Sequence, residues 1–579
     1  MLQTVEERGG AEGEEAAQGG YLAHHLRLDG SRKMAADRLR SRIVLAMALI
    51  GLAYGVIVGR LAYYGFLEPS GSAGRVLADR SIASRRPDLT DRNGVTLATD
   101  INTASLYAEP RRIVDPDDAV EMLSKVLPDL DIEETYKRLA SKAGFVWLKR
   151  ELTPSQQAKI LSLGIPGIGF RTETRRFYPK GALAAHVVGL VNIDNVGIAG
   201  IEKAIDDRGL KDLRNSGLTI DQALEPMKLS IDARVQYFVH DELEKGMERY
   251  SALAAGAVVL DANTGEVVAM ASVPDYDPNH PAEALQKDRL NRMSGGVFEM
   301  GSTFKMFTTA MALDSGLVTL HDQFDASKPI HIAGFTIHDF HGKRRMLSVP
   351  EVFIYSSNIG TAKMADVVGI EAHKAFLHKM GLLDKMHFDL PEVATPLEPA
   401  EWKKINSITI SYGHGVSTTP LQTAVAAAAL MNGGRLIPPT LFPRSRAQAD
   451  AIATQVIKPS TSDTMRYLMR LNVVKGSGRH AAVPGYRVGG KTGTAEKVVN
   501  GRYSSKKRFN AFLAAFPIEN PRYVVLVIID EPKREEGAPS AVAGLNAAPM
   551  VGNIIRRSAP VLGVQPVFDD NADPVLVSR

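Results

Sequence analysis

A stretch of 17 uncharged, mostly apolar residues near the N-terminus constrains this 579-residue chain more than any other feature. It covers Ile43–Gly59, and after the single Arg60 the apolar character resumes as far as Leu67. Such a stretch spans a bilayer as a helix if the arginine side chain reaches the interface. We therefore predict a single transmembrane anchor over residues 43–66.

Basic residues before this stretch predict its orientation. Because cytoplasmic flanks of membrane helices are rich in Lys and Arg, residues 1–42 are expected in the cytoplasm and the residues after 67 outside it. The Glu-, Gly- and Ala-rich start of this tail is typical of disorder. A cleaved signal peptide is the alternative, but its basic leader would be briefer than 42 residues. The basic residues are Arg27, Arg32, Lys33, Arg38, Arg40 and Arg42.

Three glycines inside the predicted anchor recur every four residues and share one helix face. They are Gly51, Gly55 and Gly59. Glycine lets a second helix approach closely, so this face is a candidate contact with another membrane helix. The simpler interpretation is that glycine is common in membrane helices.

Composition excludes several classes of protein. The chain has no cysteine, which rules out disulfides and a thiol nucleophile. Its net charge of +4 is small for the length, and no basic module is present, so nucleic acid is not an expected partner. The length predicts two or three folded units.

The second half of the chain has the pattern of an α+β domain. One hairpin is expected from Gly256–Asp261 and Glu266–Ser272, and a second from Ala511–Phe516 and Tyr523–Ile529. The segments between them, including Thr419–Asn432, are Ala-rich and mostly helical. Helices inserted between the first and last strands of one sheet favour an α+β or three-layer fold.

Ser302 and Lys305 lie three residues apart at the predicted start of a helix, and therefore on one face. A serine hydroxyl needs a base to become a nucleophile. Lysine serves as that base only when neutral, which requires burial or nearby cations to lower its pKa. Alone, this pair is equally typical of a helix cap and a solvated lysine.

Two further motifs follow in order along the chain. Ser356 and Asn358 form an S-x-N motif after an apolar run, and the Lys491–Thr494 segment reads K-T-G-T in a predicted edge strand. Together with Ser302 and Lys305 they match the set of motifs found in penicillin-binding proteins.

The chain resembles the class B penicillin-binding proteins from about residue 40 to residue 560. Met300 stands where that family usually has proline. The segments that carry the resemblance are Arg86–Gly94, Arg176–Pro179, His186–Gly189, Gly197–Glu202, Leu229–Asp232, Ala257–Asp261, Asn291–Arg292, Glu299–Ser302, Gly413–Gly415 and Thr419–Gln422.

This resemblance implies a fold of three parts with no metal and no cofactor. After the anchor, residues 67–226 would form an elongated α/β pedestal of the dimerisation type. Residues 227–563 would form a transpeptidase domain like that of serine β-lactamases, an antiparallel sheet flanked by helices. Residues 564–579 would form a C-terminal tail.

The resemblance also implies a role for each motif residue. Ser302 would attack the penultimate D-alanine of a stem peptide, with Lys305 as the base. Ser356 and Lys491 would relay a proton to the departing amine, and Lys491 would help keep Lys305 neutral. The remaining roles are substrate binding by Asn358, Thr492, Gly493 and Thr494, and an oxyanion hole formed by the backbone N–H groups of Ser302 and Thr494.

The implied activity is peptidoglycan D,D-transpeptidation outside the cytoplasmic membrane of a bacterium. β-Lactams would acylate the same serine, and a glycan polymerase of the SEDS family and other division proteins would be partners. The chain length and Pro274–Asn279 favour the division-specific, septal type. The alternatives are an elongation-type enzyme, a D,D-carboxypeptidase or β-lactamase-like hydrolase, and a non-catalytic penicillin-binding sensor.

Three other patterns suggest different chemistry. Gly485–Thr492 fits the P-loop pattern, with Val524–Glu531 as a candidate acidic strand, but a P-loop requires a following helix. His331, His338, Asp339 and His341 cluster without a familiar metal-ligand spacing. Glu392, Glu398 and Glu401 are candidates for a deacylating glutamate of the β-lactamase type, but the sequence around them does not match the loop of that family.

Overall fold

A computed structural model describes residues 44–45, 47–60, 86–210, 225–499, 501–568 and 573–577. The chain divides into two units, Met1–Ser81 and Ile82–Arg579. In the first, residues 44–45 and 47–60 are helical; the cytoplasmic tail over 1–42 and residues 61–66 of the predicted anchor lie outside the described residues. Among the described residues, no helix combines the length and apolarity needed to cross a membrane. The predicted transmembrane anchor is therefore not confirmed.

The second unit begins with a small sheet whose longest strand, β2 (Thr96–Ala108), has three antiparallel partners. They are β1 (Leu89–Thr90), β3 (Val146–Leu152) and β4 (Ile168–Phe177). The core beneath the sheet contains Leu106, Leu123 and Ile160. The strands of this region are β1 (Leu89–Thr90), β2 (Thr96–Ala108), β3 (Val146–Leu152), β4 (Ile168–Phe177), β5 (Leu190–Val191), β6 (Gly197–Ala199) and β7 (Met227–Lys228).

Local sequence explains where the helices of this region begin. Asp115, Asp131 and Thr153 each accept hydrogen bonds from backbone N–H groups of the first helical turn, and proline follows two of them. The helices are Pro116–Val126, Ile132–Leu139, Pro154–Ser162, Ala185–Val188 and Gly200–Ile205, with a π-helical turn at Asp206–Leu210.

A cluster of buried, ion-paired side chains lies beside the sheet of this region. The side chains of Arg86 and Arg176 both donate to the carboxylate of Glu202, at 2.6 and 2.7 Å. Arg86 also pairs with Asp206 at 2.9 Å, and Arg176 with Asp100 at 3.0 Å. These five side chains come from segments far apart in sequence, so the cluster joins the start of the region to its end.

The pairing of the short strand β7 with β1 joins the two parts on either side of a predicted domain boundary. Met227 and Lys228 pair in parallel with Leu89 and Thr90 of β1. The pedestal and transpeptidase parts, predicted over 67–226 and 227–563, therefore share backbone hydrogen bonds where they meet.

A five-stranded sheet forms the centre of the larger part. The strand order is β16-β17-β18-β8-β9 and every pairing is antiparallel. The two expected hairpins are present, and β16 lies at an edge, as the sequence predicts. The strands are β8 (Ala254–Asp261), β9 (Val267–Val273), β16 (Gly489–Val499), β17 (Arg502–Phe516) and β18 (Tyr523–Asp530).

Helices cover both faces of this sheet. In β18, Val524, Leu526 and Ile528 pack on one side, and the alternate residues Val525 and Val527 pack on the other. Because successive side chains of a strand point to opposite faces, a strand buried on both sides reads as one apolar run. The fold is therefore a three-layer, mixed α and β domain.

The helices of this part, like the first ones, begin at recognisable capping residues. Asp232 caps Ala233–Tyr250, and Thr419 caps Pro420–Met431. The full set is Ala233–Tyr250, Lys305–Ser315, Val349–Ile354, Asn358–Val368, Ile370–Lys379, Lys404–Ser411, Pro420–Met431, Arg446–Ile452, Pro459–Lys475, Ala547–Val561 and Pro574–Val577.

Short strands complete the part outside the central sheet. They are β10 (Gln323–Asp325), β11 (Ile330–Ile332), β12 (Phe335–Ile337), β13 (Met346–Ser348), β14 (Arg435–Leu436) and β15 (Thr454–Gln455). They form three antiparallel pairs, β10 with β13, β11 with β12 and β14 with β15. The predicted C-terminal tail, 564–579, contacts the body, since Asp573 pairs with Arg470 at 2.5 Å.

Candidate active site

A cavity of about 420 Å³ opens at the edge of the central sheet. The sequence-predicted residues Ser302, Ser356, Asn358, Thr492 and Thr494 all line it. The structure therefore brings all three motifs to one place, although they are separated by more than fifty residues along the chain.

Ser302 lies in a 3₁₀ turn, Gly301–Phe304, which leads into the helix Lys305–Ser315. The preceding Gly301 has φ +53°, and a Cβ there would lie 2.9 Å from the carbonyl carbon of Thr494. Only glycine permits this approach without displacing the strand. The turn that carries Ser302 thus packs backbone to backbone against Thr494, where the two predicted oxyanion-hole donors belong.

Two lysine side chains meet at one serine hydroxyl beneath the cavity. The Nζ atom of Lys305 lies 3.1 Å from Ser356 Oγ, and that of Lys491 lies 3.0 Å from the same oxygen. Lys305 also donates to Asn358 Oδ1 at 2.7 Å. By contrast, the hydroxyl of Ser302 makes no hydrogen bond with any residue that the structure describes.

Both lysines are almost completely buried, with 1% and 0% of their surface exposed. Burial holds the pKa of Lys305 well below its usual range, and the nearby Lys491 lowers it further. Burial also lowers the pKa of Lys491 to about 7. The site therefore supplies two amines that lose their protons more readily than an exposed lysine, as a general base must.

The backbone at Ser356 adopts an unusual conformation. Its φ is +57°, a left-handed value that serine rarely takes. The loop is secured at its next residue, because Ser357 donates to Asp339 at 2.7 Å and caps the helix Asn358–Val368. Asp339 also accepts the backbone N–H of Ile359 at 2.9 Å. These contacts hold the Ser356 hydroxyl between the lysines.

Each of three predicted substrate-binding side chains, those of Asn358, Thr492 and Thr494, has its own hydrogen-bond partner within the protein. Asn358 donates its amide to the carbonyl of His338 at 2.9 Å. The hydroxyl of Thr492 lies 2.7 Å from that of Ser477, and Thr494 Oγ1 accepts the backbone N–H of Ala543 at 3.2 Å. Both threonines also face the cavity.

Gly493 has a packing role in the structure. It is buried, and a Cβ there would lie 2.5 Å from the carbonyl oxygen of Met300. It therefore allows the turn before Ser302 to rest on the strand.

Several cavity residues were not predicted as site residues. His414 lines the cavity and stacks on Tyr503 with 5.1 Å between ring centroids. Burial, aided by the charge of Lys305, lowers the pKa of His414 to about 4. Tyr503 donates to Glu299 at 3.0 Å, and burial raises the pKa of that carboxyl group. The other unpredicted lining residues include Ser477, Arg479, His480, Glu496 and Arg508.

The three rival patterns do not produce rival sites in the described residues. The P-loop candidate ends in strand β16, with no helix after Lys491. Glu392, Glu398 and Glu401 do not line the Ser302 cavity; Glu392 accepts the backbone N–H of Gly200 at 3.1 Å. In the part of the chain that the structure covers, no group of three or more His, Cys, Asp or Glu side chains is placed to hold a metal ion.

A cavity-lining serine above two buried, interacting lysines is the arrangement of a serine acyltransferase that uses a lysine base. Two family models match the chain in agreement with this class. The penicillin-binding protein transpeptidase domain matches residues 255–555, and the penicillin-binding protein dimerisation domain matches residues 81–212. The chain belongs to the penicillin-binding protein transpeptidases.

Curated relatives resemble the chain over nearly its whole length. A probable peptidoglycan D,D-transpeptidase FtsI from Caulobacter vibrioides is 38% identical, covering 94% of this chain and 92% of the relative. A probable peptidoglycan D,D-transpeptidase PenA from Neisseria meningitidis is 34% identical, with 91% and 93% covered. The peptidoglycan D,D-transpeptidase FtsI of Escherichia coli K12 is 30% identical, with 91% and 92% covered. These matches confirm the predicted class B assignment, and the FtsI names agree with the division-specific type.

Proposed function

We propose that this class B penicillin-binding protein crosslinks peptidoglycan stem peptides through an acyl-enzyme on Ser302 during septal wall synthesis. The observation that carries this proposal is the shared hydrogen bonding of Lys305 and Lys491 to Ser356, directly beneath the cavity that Ser302 lines.

In the first step, Ser302 Oγ attacks the carbonyl carbon of the penultimate D-alanine. Lys305, neutral because it is buried beside another amine, takes the serine proton. The structure has Lys305 hydrogen bonded to Ser356 and Asn358, so substrate binding must shift one of these contacts. Catalytic hydrogen bonds often tighten only in the substrate complex.

The developing oxyanion receives the backbone N–H groups of Ser302 and Thr494. Such a pair is preorganised by the close packing of Gly301 on Thr494. Losing one donor of this kind costs about 3 kcal/mol of transition-state stabilisation. Thr492 and Thr494, whose hydroxyls reach the cavity, hold the terminal carboxylate of the donor.

Collapse of the tetrahedral intermediate releases the last D-alanine. Its amine takes a proton passed from Lys305 through Ser356, with Lys491 holding the serine hydroxyl in line. An amine of a second stem peptide then attacks the ester and gives up a proton to Lys305, which returns a proton to the departing Ser302 oxygen. β-Lactams acylate Ser302 in the same way.

The choice of acceptor separates this proposal from a hydrolase. The purified full chain is incubated with a thioester donor ending in D-alanine, with and without an added D-amino acid. We expect aminolysis products in addition to hydrolysis, and neither product with Ser302→Ala. The matched control is Ser315→Ala. Ser315 is exposed at the far end of the helix that follows Ser302, so this variant should behave as wild type. Hydrolysis without aminolysis would favour a D,D-carboxypeptidase.

We further propose that residues 43–66 anchor the chain in the cytoplasmic membrane and that its glycine face contacts a glycan polymerase. A Cβ at Gly51, Gly55 or Gly59 would meet no atom of the described residues within 4 Å, and glycine at this spacing allows a second helix to approach closely. Replacing Gly51 and Gly55 by leucine should abolish co-purification of the polymerase while penicillin labelling continues. Unchanged co-purification would contradict this contact.

A further inference from the structure

Beyond the motif residues, the strand that carries Thr492 and Thr494 continues along the cavity. Side chains two residues apart on a strand share one face, and Thr492, Thr494 and Glu496 all line the cavity. Glu496 is therefore displaced about 7 Å along the strand from Thr494, on the side away from Thr492.

Arg508 lies directly opposite Glu496 on the neighbouring strand. The two residues are register partners in the β16–β17 pairing, and both line the cavity. The guanidinium of Arg508 lies over the ring of Phe340, 5.9 Å from its centroid. The acidic Glu496 and the basic Arg508 thus lie side by side in the cavity wall, and both are half-buried.

Glu496 and Arg508 carry opposite charges. Neither Glu496 nor Arg508 forms an ion pair with any residue that the structure describes. The adjacent Lys497 behaves differently, since it pairs with both Asp530 and Glu531 at 2.8 Å. Half-buried charges without a protein partner retain the capacity to bind complementary charges of a ligand.

The direction of the donor peptide places a specific residue here. In the proposed reaction, on which this inference rests, Thr492 and Thr494 hold the terminal carboxylate and Thr494 N–H receives the reacting carbonyl. The upstream part of the donor then follows the strand toward Glu496. The side chain of the residue preceding the two terminal D-alanines reaches the level of Glu496 and Arg508.

We propose that Glu496 and Arg508 together bind the zwitterionic end of that side chain, an ammonium and a carboxylate on one carbon. The substrate class is a donor stem peptide with a diamino-diacid residue, as opposed to a lysine-type residue that carries only the ammonium. Glu496 receives the ammonium and Arg508 the carboxylate. Both residues select the donor without touching the reacting atoms.

Four synthetic donors test this assignment on the purified full chain. Their side chains carry both charges, the ammonium with a carboxamide, the ammonium alone, or the carboxylate with an acetylated amine. We expect the wild type to favour the first donor by about tenfold in kcat/KM, the scale of a charge-assisted hydrogen bond at a partly exposed site. Equal kcat/KM for all four donors would overturn the proposal.

Two variants divide the recognition between the residues. Arg508→Gln should lower kcat/KM about fivefold to tenfold for donors with the carboxylate and leave the carboxamide donor unchanged. Glu496→Gln should lower it only for donors with the free ammonium. Lys507→Gln is the matched control, because Lys507 is on the same strand, pairs with Glu531 and does not line the cavity. A variant that slows all donors equally would contradict the assignment.

Acylation by benzylpenicillin separates this inference from the proposed function. Its side chain carries no charge, so acylation of Ser302 in the wild type reports on the proposed function and not on the zwitterion site. If the wild type is not acylated, the proposed function fails. If acylation is normal and the donors are not discriminated, only the zwitterion site fails.

Discussion

Lys305 and Lys491 lie on two sides of one hydroxyl group, that of Ser356, at 3.1 and 3.0 Å. They come from a helix start and an edge strand nearly two hundred positions apart, and both are buried. Two amines so close cannot both carry a proton at low cost, because their charges repel in a medium of low polarity. The pair thereby supplies a neutral base beside a proton donor.

Two substitutions at Ser356 distinguish the catalytic effect of its hydroxyl from the backbone strain at this position. Ser356→Ala and Ser356→Gly both remove the shared hydroxyl, so each should slow acylation by benzylpenicillin about 10²-fold or more, the range of proton-transfer catalysis. The glycine variant should be about 1 kcal/mol more stable than the alanine variant, since φ at this position is +57°. Acylation kinetics and thermal unfolding measure the two effects. Equal stability of the variants would contradict the strain.

The depressed pKa of Lys491 predicts a pH dependence of stability. In the folded chain this lysine takes up a proton below about pH 7, whereas in the unfolded chain it does so below 10.5. Between these values the unfolded state binds more protons, so this group makes stability rise with pH. Lys491→Met should therefore raise Tm by roughly 3 °C at pH 7 and by less at pH 9.5.

The control for this pH experiment is Lys507→Met, whose side chain is half exposed and whose loss should change Tm little at either pH. A Lys491→Met variant with the same Tm difference at both pH values would contradict the lowered pKa.

The approach of Gly301 to Thr494 predicts a steric requirement at the oxyanion hole. Gly301→Ala places a Cβ 2.9 Å from the Thr494 carbonyl carbon and should slow acylation by about 10²-fold or more. Gly316→Ala is the matched control: Gly316 ends the same helix at φ +77° with nothing within 4 Å. It should lose about 1 kcal/mol of stability and keep the acylation rate. Equal acylation rates in the two variants would exclude the steric role.

The buried charges of the pedestal predict a large effect on stability. Glu202 binds both Arg86 and Arg176, and all three side chains are fully buried. Glu202→Gln removes the negative charge that Arg86 and Arg176 share, which should lower the free energy of unfolding by about 3–5 kcal/mol. The exposed Glu133→Gln should change it by less than about 0.5 kcal/mol. Denaturant unfolding of both variants measures this, and a Glu202→Gln loss below about 1 kcal/mol would contradict the account.

The sequence predicts those features in which one short segment carries the whole signal. The hairpins β8–β9 and β17–β18 follow from apolar runs that flank turn residues, and the three motifs point to Ser302, Ser356 and Lys491. Cavity residues that belong to none of the three motifs were not predicted as site residues. Ser477 and His414 reach the cavity from loops without a motif, and Asp339 looked like part of a histidine cluster although it holds the Ser357 loop.

The apolar run of β18 shows the limit of local patterns most clearly. Val524–Glu531 resembles the acidic strand of a nucleotide hydrolase, because any strand buried on both faces gives the same run. The sequence argues against that interpretation through the missing helix after Lys491, and the sheet order excludes it, because β17 and β8 pair antiparallel with β18 on its two sides. Likewise, the opposed charges of Glu496 and Arg508 become visible only through the register of β16 and β17.

The most direct test of the account is the position of the acyl group. The full-length chain is reacted with benzylpenicillin, its intact mass is measured, and the adduct is mapped by peptide fragmentation. We expect one adduct per chain, on Ser302, and none in Ser302→Ala. An adduct on another residue, or no adduct on the folded wild type, would contradict the assignment of Ser302 as the nucleophile.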